Sequence, residues 1–220
     1  MTARNTFDRE LELLNIYLIQ MGSLAEEAIE NAIKAFKNHD NELAKIVINS
    51  DNKVDDMEKL IEAKCLSLIL RQQPVARDLR KISTALKMIT DIERVGDHAV
   101  DIAKLSMEIE GEHIYSIVKH IPIMAEASAR MVHDATTAFV NSDLELVNRV
   151  MEAENEIDAL FFMVKADIAS ILKEGKDTEN NAIDFLMIAK YLERIADHAV
   201  NICEWVIFSQ TGEHKNMKLI

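Results

Sequence analysis

Punctuation is what this chain has least of. Five glycines and two prolines in 220 residues leave little turn chemistry for a many-stranded sheet. The abundant Ala, Leu, Ile, Met, Glu and Lys favour long helices, so the expected class is all-α. Aromatic residues make up only 5 %, so the core has to be mainly aliphatic. The two cysteines, Cys65 and Cys203, show neither C-x-x-C nor zinc-type spacing and fall within apolar helical patterns, which predicts reduced, buried thiols. No run of eighteen apolar residues occurs, and the opening MTARNTFDRE lacks an apolar h-region. Neither a membrane span nor a signal peptide is expected, and a soluble cytoplasmic protein fits. Basic charge is also short: 25 Lys and Arg against 38 Asp and Glu give a net −13. That excludes a general nucleic-acid binder, which needs a basic face for counterion release, and makes cations the natural partners. P-loops, Gly-rich nucleotide fingerprints and Ser/His/Asp arrangements are absent too.

What the chain does have is an internal repeat. DIERVGDHAVDI, residues 91–102, returns as YLERIADHAVNI, residues 191–202. Glu93, Arg94, Asp97, His98, Ala99 and Val100 align with Glu193, Arg194, Asp197, His198, Ala199 and Val200. Upstream, Phe36, Asp40, Asp51 and Asp55 align with Phe139, Asp143, Glu154 and Asp158 at an offset of 103, which falls to 100 at the dodecamer. A three-residue shortening of the second loop accounts for the change, because RQQPVARDLRK has no equally long counterpart.

Apolar residues at three- and four-residue steps predict six helices, over about 7–37, 42–70, 75–108, 122–141, 144–173 and 181–210. Capping clusters at Asn38–Asn41 and Ser142–Asp143 separate the first two helices of each set. Pro74 suits the first turn of helix three and Pro122 the start of helix four, while Gly111 and Gly212 mark ends. The tail HKNMKLI has weak periodicity and reads as partly disordered. The pattern predicts two tandem three-helix bundles, residues 1–111 and 112–220, joined end to end or side by side. Helices of thirty residues are roughly 45 Å long, so both bundles are elongated.

On a helical wheel, Ile82, Leu86, Ile89, Gly96, Val100 and Ala103 share one apolar face of helix three, and Glu93 falls inside it. Asp97 and Asp101 step outwards by about 40° each. A buried carboxylate needs a compensator. The second helix of each bundle offers a matching i, i+4 pair: Asp51 and Asp55, then Glu154 and Asp158. Together with Glu93, Asp97, Glu193 and Asp197 they make two sets of hard oxygen ligands. Such sets suit magnesium, calcium, manganese or iron, with zinc the poorer match. Glu58, Glu62 and Asp101 extend the first set, whereas the second has Phe161, Lys165 and Asn201 at the equivalent positions. The competing reading is a solvated acidic stripe neutralised by Arg94 and Arg194. His98 and His198 lie about 140° from the Glu and read as surface or inter-bundle groups. Gly96, replaced by Ala196 in the second copy, reads as a small residue that lets helices approach.

Arg71, Arg77 and Arg80 gather at the start of helix three, where the helix dipole disfavours cations. Either they bridge to Asp78 and nearby acids of helix two, or they contact the acidic surface of a partner.

RQQPVARDLR, ALKMITDIERVGDHAVDIA and YLERIADHAVNICEWVIFSQTGE resemble the PhoU phosphate-uptake regulators over nearly the whole chain. The resemblance implies two three-helix bundles and a cytoplasmic, non-enzymatic negative regulator of phosphate uptake. It also implies metal ions, in some members multinuclear iron, at the E/D-x-x-x-D motifs, here Asp51, Asp55, Glu93, Asp97, Glu154, Asp158, Glu193 and Asp197. The implied partners are the ATPase subunit of a phosphate ABC transporter, a sensor histidine kinase and a second copy of the chain. Two other classes stay open. A carboxylate-bridged metal enzyme needs paired E-x-x-H helices in one core, and only Glu110 to His113 has that spacing, interrupted by Gly111. A purely structural helical protein leaves the registered carboxylates unexplained.

Overall fold

The computed structural model describes residues 3–109, 118–175, 181–215 and 217–218. Among these, six long helices account for nearly everything: α1 Ala3–Asn38, α2 Asn41–Gln72, α3 Ala76–Glu108, α4 His120–Asn141, α5 Leu144–Lys173 and α6 Ala182–Thr211. The turns repeat as the sequence does. His39 leaves α1 with a left-handed backbone, φ 51°, and Asp40 then caps α2 by accepting a hydrogen bond from the Leu43 amide at 2.9 Å. Ser142, φ 55°, and Asp143 do the same for α5, with Asp143 accepting from the Glu145 and Leu146 amides at 3.0 Å.

Two expectations about element ends need correcting. Pro74 does not sit in the first turn of α3: α2 ends at left-handed Gln73, and α3 begins only at Ala76. α4 starts at His120, which places Pro122 inside its first turn. Part of the tail is ordered, because Glu213–His214 pairs antiparallel with Met217–Lys218, the strands β1 and β2. That hairpin is pinned to α6 by His214, whose ring stacks on Trp205 at 3.8 Å, and by Lys215, 3.0 Å from Glu204. Gly111, Glu110, His113 and the boundary at 111/112 lie outside the described residues.

α1, α2 and α3 pack on one another, as do α4, α5 and α6, so the chain is two three-helix bundles. The bundles stand side by side rather than end to end, joined along α3 with α6 and α1 with α4. α3 therefore has three helical neighbours. This explains why its buried face, which adds Thr84, Ala85, Met88, Ile92, Val95, Ala99 and Ile102, is far wider than a single-stripe wheel suggests. The core is continuous and aliphatic, with Phe36 of α1 meeting Phe185 of α6 edge to face at 5.9 Å. Cys65 and Cys203 are fully buried and unbridged, and burial pushes both thiols up to about 12. They are inert packing groups.

Candidate functional site

The carboxylates predicted from the repeat come together along the α2/α3 seam of the first bundle. Asp51 is half-buried on α2, and its carboxyl is raised above the usual range first by burial, then by the charges of Asp55, Asp97 and Asp101, with Lys104 opposing. Glu93 is raised in the same way, by burial and then by Asp97, with further pushes from Glu58 and Asp55. Glu58 completes the group, raised by burial, Glu62 and Asp55. Burial is the larger cause in each case, and the charges of neighbouring acids on both helices add to it. Arg94 supplies part of the relief, with its guanidinium 2.6 Å from Asp97 and 3.5 Å from Glu93. Lys104 lies 3.5 Å from Asp101.

Glu93 does not lie within the apolar face as the wheel predicts. Its side chain is 20 % exposed, at the rim of the seam, because the wider packing of α3 shifts the centre of its buried face. Glu62 is exposed. Gly96 faces α2, but the approach does not require a glycine: a methyl group there would stand 3.4 Å from Val54 and 3.5 Å from Asp51, which is ordinary contact.

The α5/α6 seam of the second bundle repeats the frame with a different charge balance. Glu154 is raised by burial and by Asp158 and Asp197. Asp197 is raised by burial and Glu193, but Arg194, Lys190 and His198 all pull it back. Lys190 forms an ion pair with Glu193, and Arg194 is 3.8 Å from Asp197. Phe161 stands where the first seam has Glu58. Lys165 and Lys190 lie over its ring at 4.9 and 5.6 Å. Asn201 turns away from the carboxylates and donates to Asp91 at 3.3 Å.

As the side chains stand, no three His, Cys, Asp or Glu groups among the described residues converge in the arrangement a metal ion needs. The donor chemistry of the first seam nevertheless fits a hard cation, since Asp51, Asp55, Glu93 and Asp97 repel one another across a gap that a divalent ion would neutralise. The second seam fits less well, because Lys190 and Arg194 already occupy its carboxylates.

The histidines are inter-bundle groups. His98 and His198 stand 5.6 Å apart between α3 and α6; His198 Nδ1 is 2.8 Å from Asp91, and His98 stacks on Tyr191 at 5.4 Å. Burial, reinforced by His198, pushes the His98 ring below its ordinary range. Asp91 and Tyr191 went unremarked in the sequence, although the offset of 100 marks them as one repeat position with changed chemistry. The arginines at the start of α3 find partners that neither reading of the sequence named. Arg80 Nε donates to the Ser209 carbonyl at 3.3 Å and Arg77 to the Gln210 side chain at 3.4 Å, both in the last turns of α6, where the helix dipole is negative. Arg71 is exposed at the end of α2.

Comparison with known proteins agrees with this architecture. The PhoU domain model matches twice, over residues 18–106 and 121–206, one copy per bundle. A phosphate-specific transport system accessory protein PhoU homolog of Clostridium acetobutylicum is 39 % identical over 97 % of this chain and 98 % of its own length. The accessory protein PhoU of Escherichia coli is 29 % identical over 94 % of this chain and 86 % of its own. The crystal structure of PhoU from Pseudomonas aeruginosa superposes with a TM-score of 0.84 at 31 % identity, covering 94 % of this chain and all of that one. The phosphate transport system regulatory protein PhoU of Streptococcus pneumoniae gives 0.87 at 27 % identity, covering 96 % of this chain and 100 % of that structure. These names describe transport accessory and regulatory proteins, not enzymes.

Proposed function

Because the chain belongs to the PhoU family, we propose that it is a cytoplasmic, non-enzymatic regulator that restrains a phosphate ABC transporter and reports to a sensor histidine kinase. The observation that carries this reading is the full-length match to phosphate-specific transport accessory proteins, with both bundles and both carboxylate seams inside it. Physically, restraint requires differential binding: the regulator has to prefer the resting transporter over the transporting one, and about 1.4 kcal/mol of preference shifts that balance tenfold. Two rigid bundles standing side by side, with long exposed helix faces, suit a protein that touches two parts of a membrane complex at once. No helix among the described residues is long and apolar enough to cross a membrane; in this reading the chain meets the membrane complex through its partners.

Metal binding belongs to the same proposal. Asp51, Asp55, Glu93 and Asp97 would hold the ion or ions of the first bundle, with Glu58, Glu62 and Asp101 in reserve; Glu154, Asp158, Glu193 and Asp197 would serve the second. When bound, a divalent or multinuclear iron centre supplies positive charge that ties the second helix of each bundle to the third. Of the three arginines, Arg71 and Arg77 are exposed and suited to a partner's acidic surface, while Arg80 is engaged with α6. A homodimer is the oligomeric state in this reading.

Deleting the gene in its native host should raise phosphate-regulon expression in phosphate-rich medium. The purified protein should be retained by the transporter ATPase subunit or by the kinase. Unchanged uptake and expression, with neither partner bound, overturns the reading.

A further inference from the structure

Away from the carboxylate seams, α1 and α4 run antiparallel across the boundary between the bundles. Their contact is tight at Gly22, where an added methyl would stand 3.1 Å from Thr136 Oγ1 and 3.2 Å from its Cγ2. One turn further along α1, Glu26 reaches His133 at 3.0 Å. Beyond that pair the two helices leave a cleft of about 440 Å³, within the roughly 300–1,000 Å³ of ordinary small-molecule sites. The repeat explains why one side is closed and the other open. At the 103-residue offset, Gly22 and Thr136 correspond to Ala125 and Ile33, and both of those line the cleft. Where Thr136 seats directly on Gly22, the equivalent Ile33 and Ala125 lie at the bottom of the cleft, 7 % and 3 % exposed.

The cleft has an apolar floor and a charged end. Ile29, Ile33, Ala125 and Ala129 form the floor, while Lys34 and Lys37 project from the last turns of α1. Neither lysine has a hydrogen-bond or ion-pair partner among the described residues. Glu26, by contrast, is engaged by His133. Glu30 and Glu126 also line the walls, so the lysine end, not the whole cleft, is where an anion is favoured.

We propose that this cleft binds a small anionic amphiphile, with an apolar body along Ile29, Ile33, Ala125 and Ala129 and a carboxylate, sulfonate or phosphate head held by Lys34 and Lys37. The lysines hold the head group by charge-assisted hydrogen bonds, and the floor, only 1–9 % exposed, shapes the body's seat and adds little area-driven affinity. The full chain should bind laurate and the dye 1-anilinonaphthalene-8-sulfonate at one saturable site, each displacing the other in a fluorescence titration. Lys34→Glu with Lys37→Glu, changes that leave the core untouched, should weaken both about tenfold or more, the scale of one lost charge-assisted contact. Ala129→Trp, which fills the cleft, should abolish binding. Phe162→Ser, at a 67 % exposed aromatic on α5, should leave it unchanged. Absence of saturable binding overturns the proposal. So does binding indifferent to the double Lys→Glu change, loss of binding in Phe162→Ser, or dodecanol binding as tightly as laurate.

Discussion

The α2/α3 and α5/α6 seams share one backbone plan and end with different electrostatics. In the first, Asp51, Glu58 and Glu93 are all pushed up by burial and by other carboxylates, and Arg94 stands alone between Glu93 and Asp97. In the second, Lys190 and Arg194 take up Glu193 and Asp197, an aromatic ring replaces Glu58, and Asn201 faces the other bundle. A repeated motif fixes where carboxylates stand. Whether they remain in need of a cation is decided by the neighbours that do not repeat, above all Lys190 in place of Thr90.

The largest expected effect tests that difference directly. Added divalent metal should raise the melting temperature of the chelated protein by mass action. At ligand one hundredfold above Kd the gain is about 2.7 kcal/mol, which for a chain of this size is about 5–10 °C. Glu93→Gln with Asp97→Asn should remove most of that shift, and Glu193→Gln with Asp197→Asn a clearly smaller part. Equal losses from the two pairs would make the seams equivalent ion sites and break the comparison. No shift with iron, manganese, magnesium or calcium would remove the metal centre altogether.

Exchanging the non-repeating residue should move the seams towards each other. Lys190→Thr frees Glu193, so the second seam should gain metal affinity while the chelated protein loses about 1 kcal/mol or less, the worth of a partly exposed ion pair. Thr90→Lys should do the reverse in the first seam. Isothermal titration of both variants measures this; an unchanged partition of metal between the seams means that Lys190 does not set it.

The helices, their turns and the seam residues were legible because each rests on local chemistry: three- and four-residue apolar steps, Asp40 and Asp143 as caps, and carboxylates at i, i+4. Less legible was everything set by neighbours distant in sequence. The wheel placed Glu93 too deep because it assumed one buried stripe on α3, which in fact packs against α1, α2 and α6. The arginines at the end of α2 and the start of α3 have acids near them in sequence, yet Arg80 is satisfied by a carbonyl 129 residues away. Asp91 with His198, and the α1/α4 cleft, arise from the side-by-side docking that the repeat alone left undecided.

Acidity should separate the seams next. The folded-state pKa values of Asp51, Glu58 and Glu93 stand above their unfolded values, so the native chain holds extra protons on the acid side of neutrality. Stability of the metal-free protein therefore rises as pH falls from neutral through these raised values. The contribution is complete below the ordinary carboxylate range of about 4. Metal reverses the slope, because ligation requires the deprotonated groups. The contribution of these three groups should therefore raise the melting temperature of chelated protein as pH falls from neutral towards the ordinary carboxylate range of about 4. That shift should shrink more in Glu93→Gln with Glu58→Gln than in Glu154→Gln with Asp197→Asn. A shift that is the same in the Glu93→Gln with Glu58→Gln variant as in the parent chain contradicts the repulsion on which the proposed metal site of the first seam rests.

The smallest expected effect concerns a position inside the repeated α3/α6 motif where the two copies differ by a single methyl group. Gly96 and Ala196 occupy equivalent positions, and a methyl group at Gly96 would meet Val54 at 3.4 Å and Asp51 at 3.5 Å, distances that need no displacement. Close approach of α2 and α3 therefore tolerates alanine, and the glycine retains only its penalty inside a helix. Gly96→Ala should stabilise by up to about 1 kcal/mol, from helix propensity and reduced freedom of the unfolded chain. Ala196→Gly should destabilise by somewhat more, since propensity is lost together with about 0.8 kcal/mol for a buried carbon; Ala196 is 1 % exposed. The metal-induced shift of Gly96→Ala decides what the glycine is for. If the shift is unchanged, Asp51 needs no extra room to turn towards an ion. If stability rises while the shift falls, the missing methyl is the space into which that carboxylate swings, and the difference between the seams extends from charge to the freedom of a ligand to move.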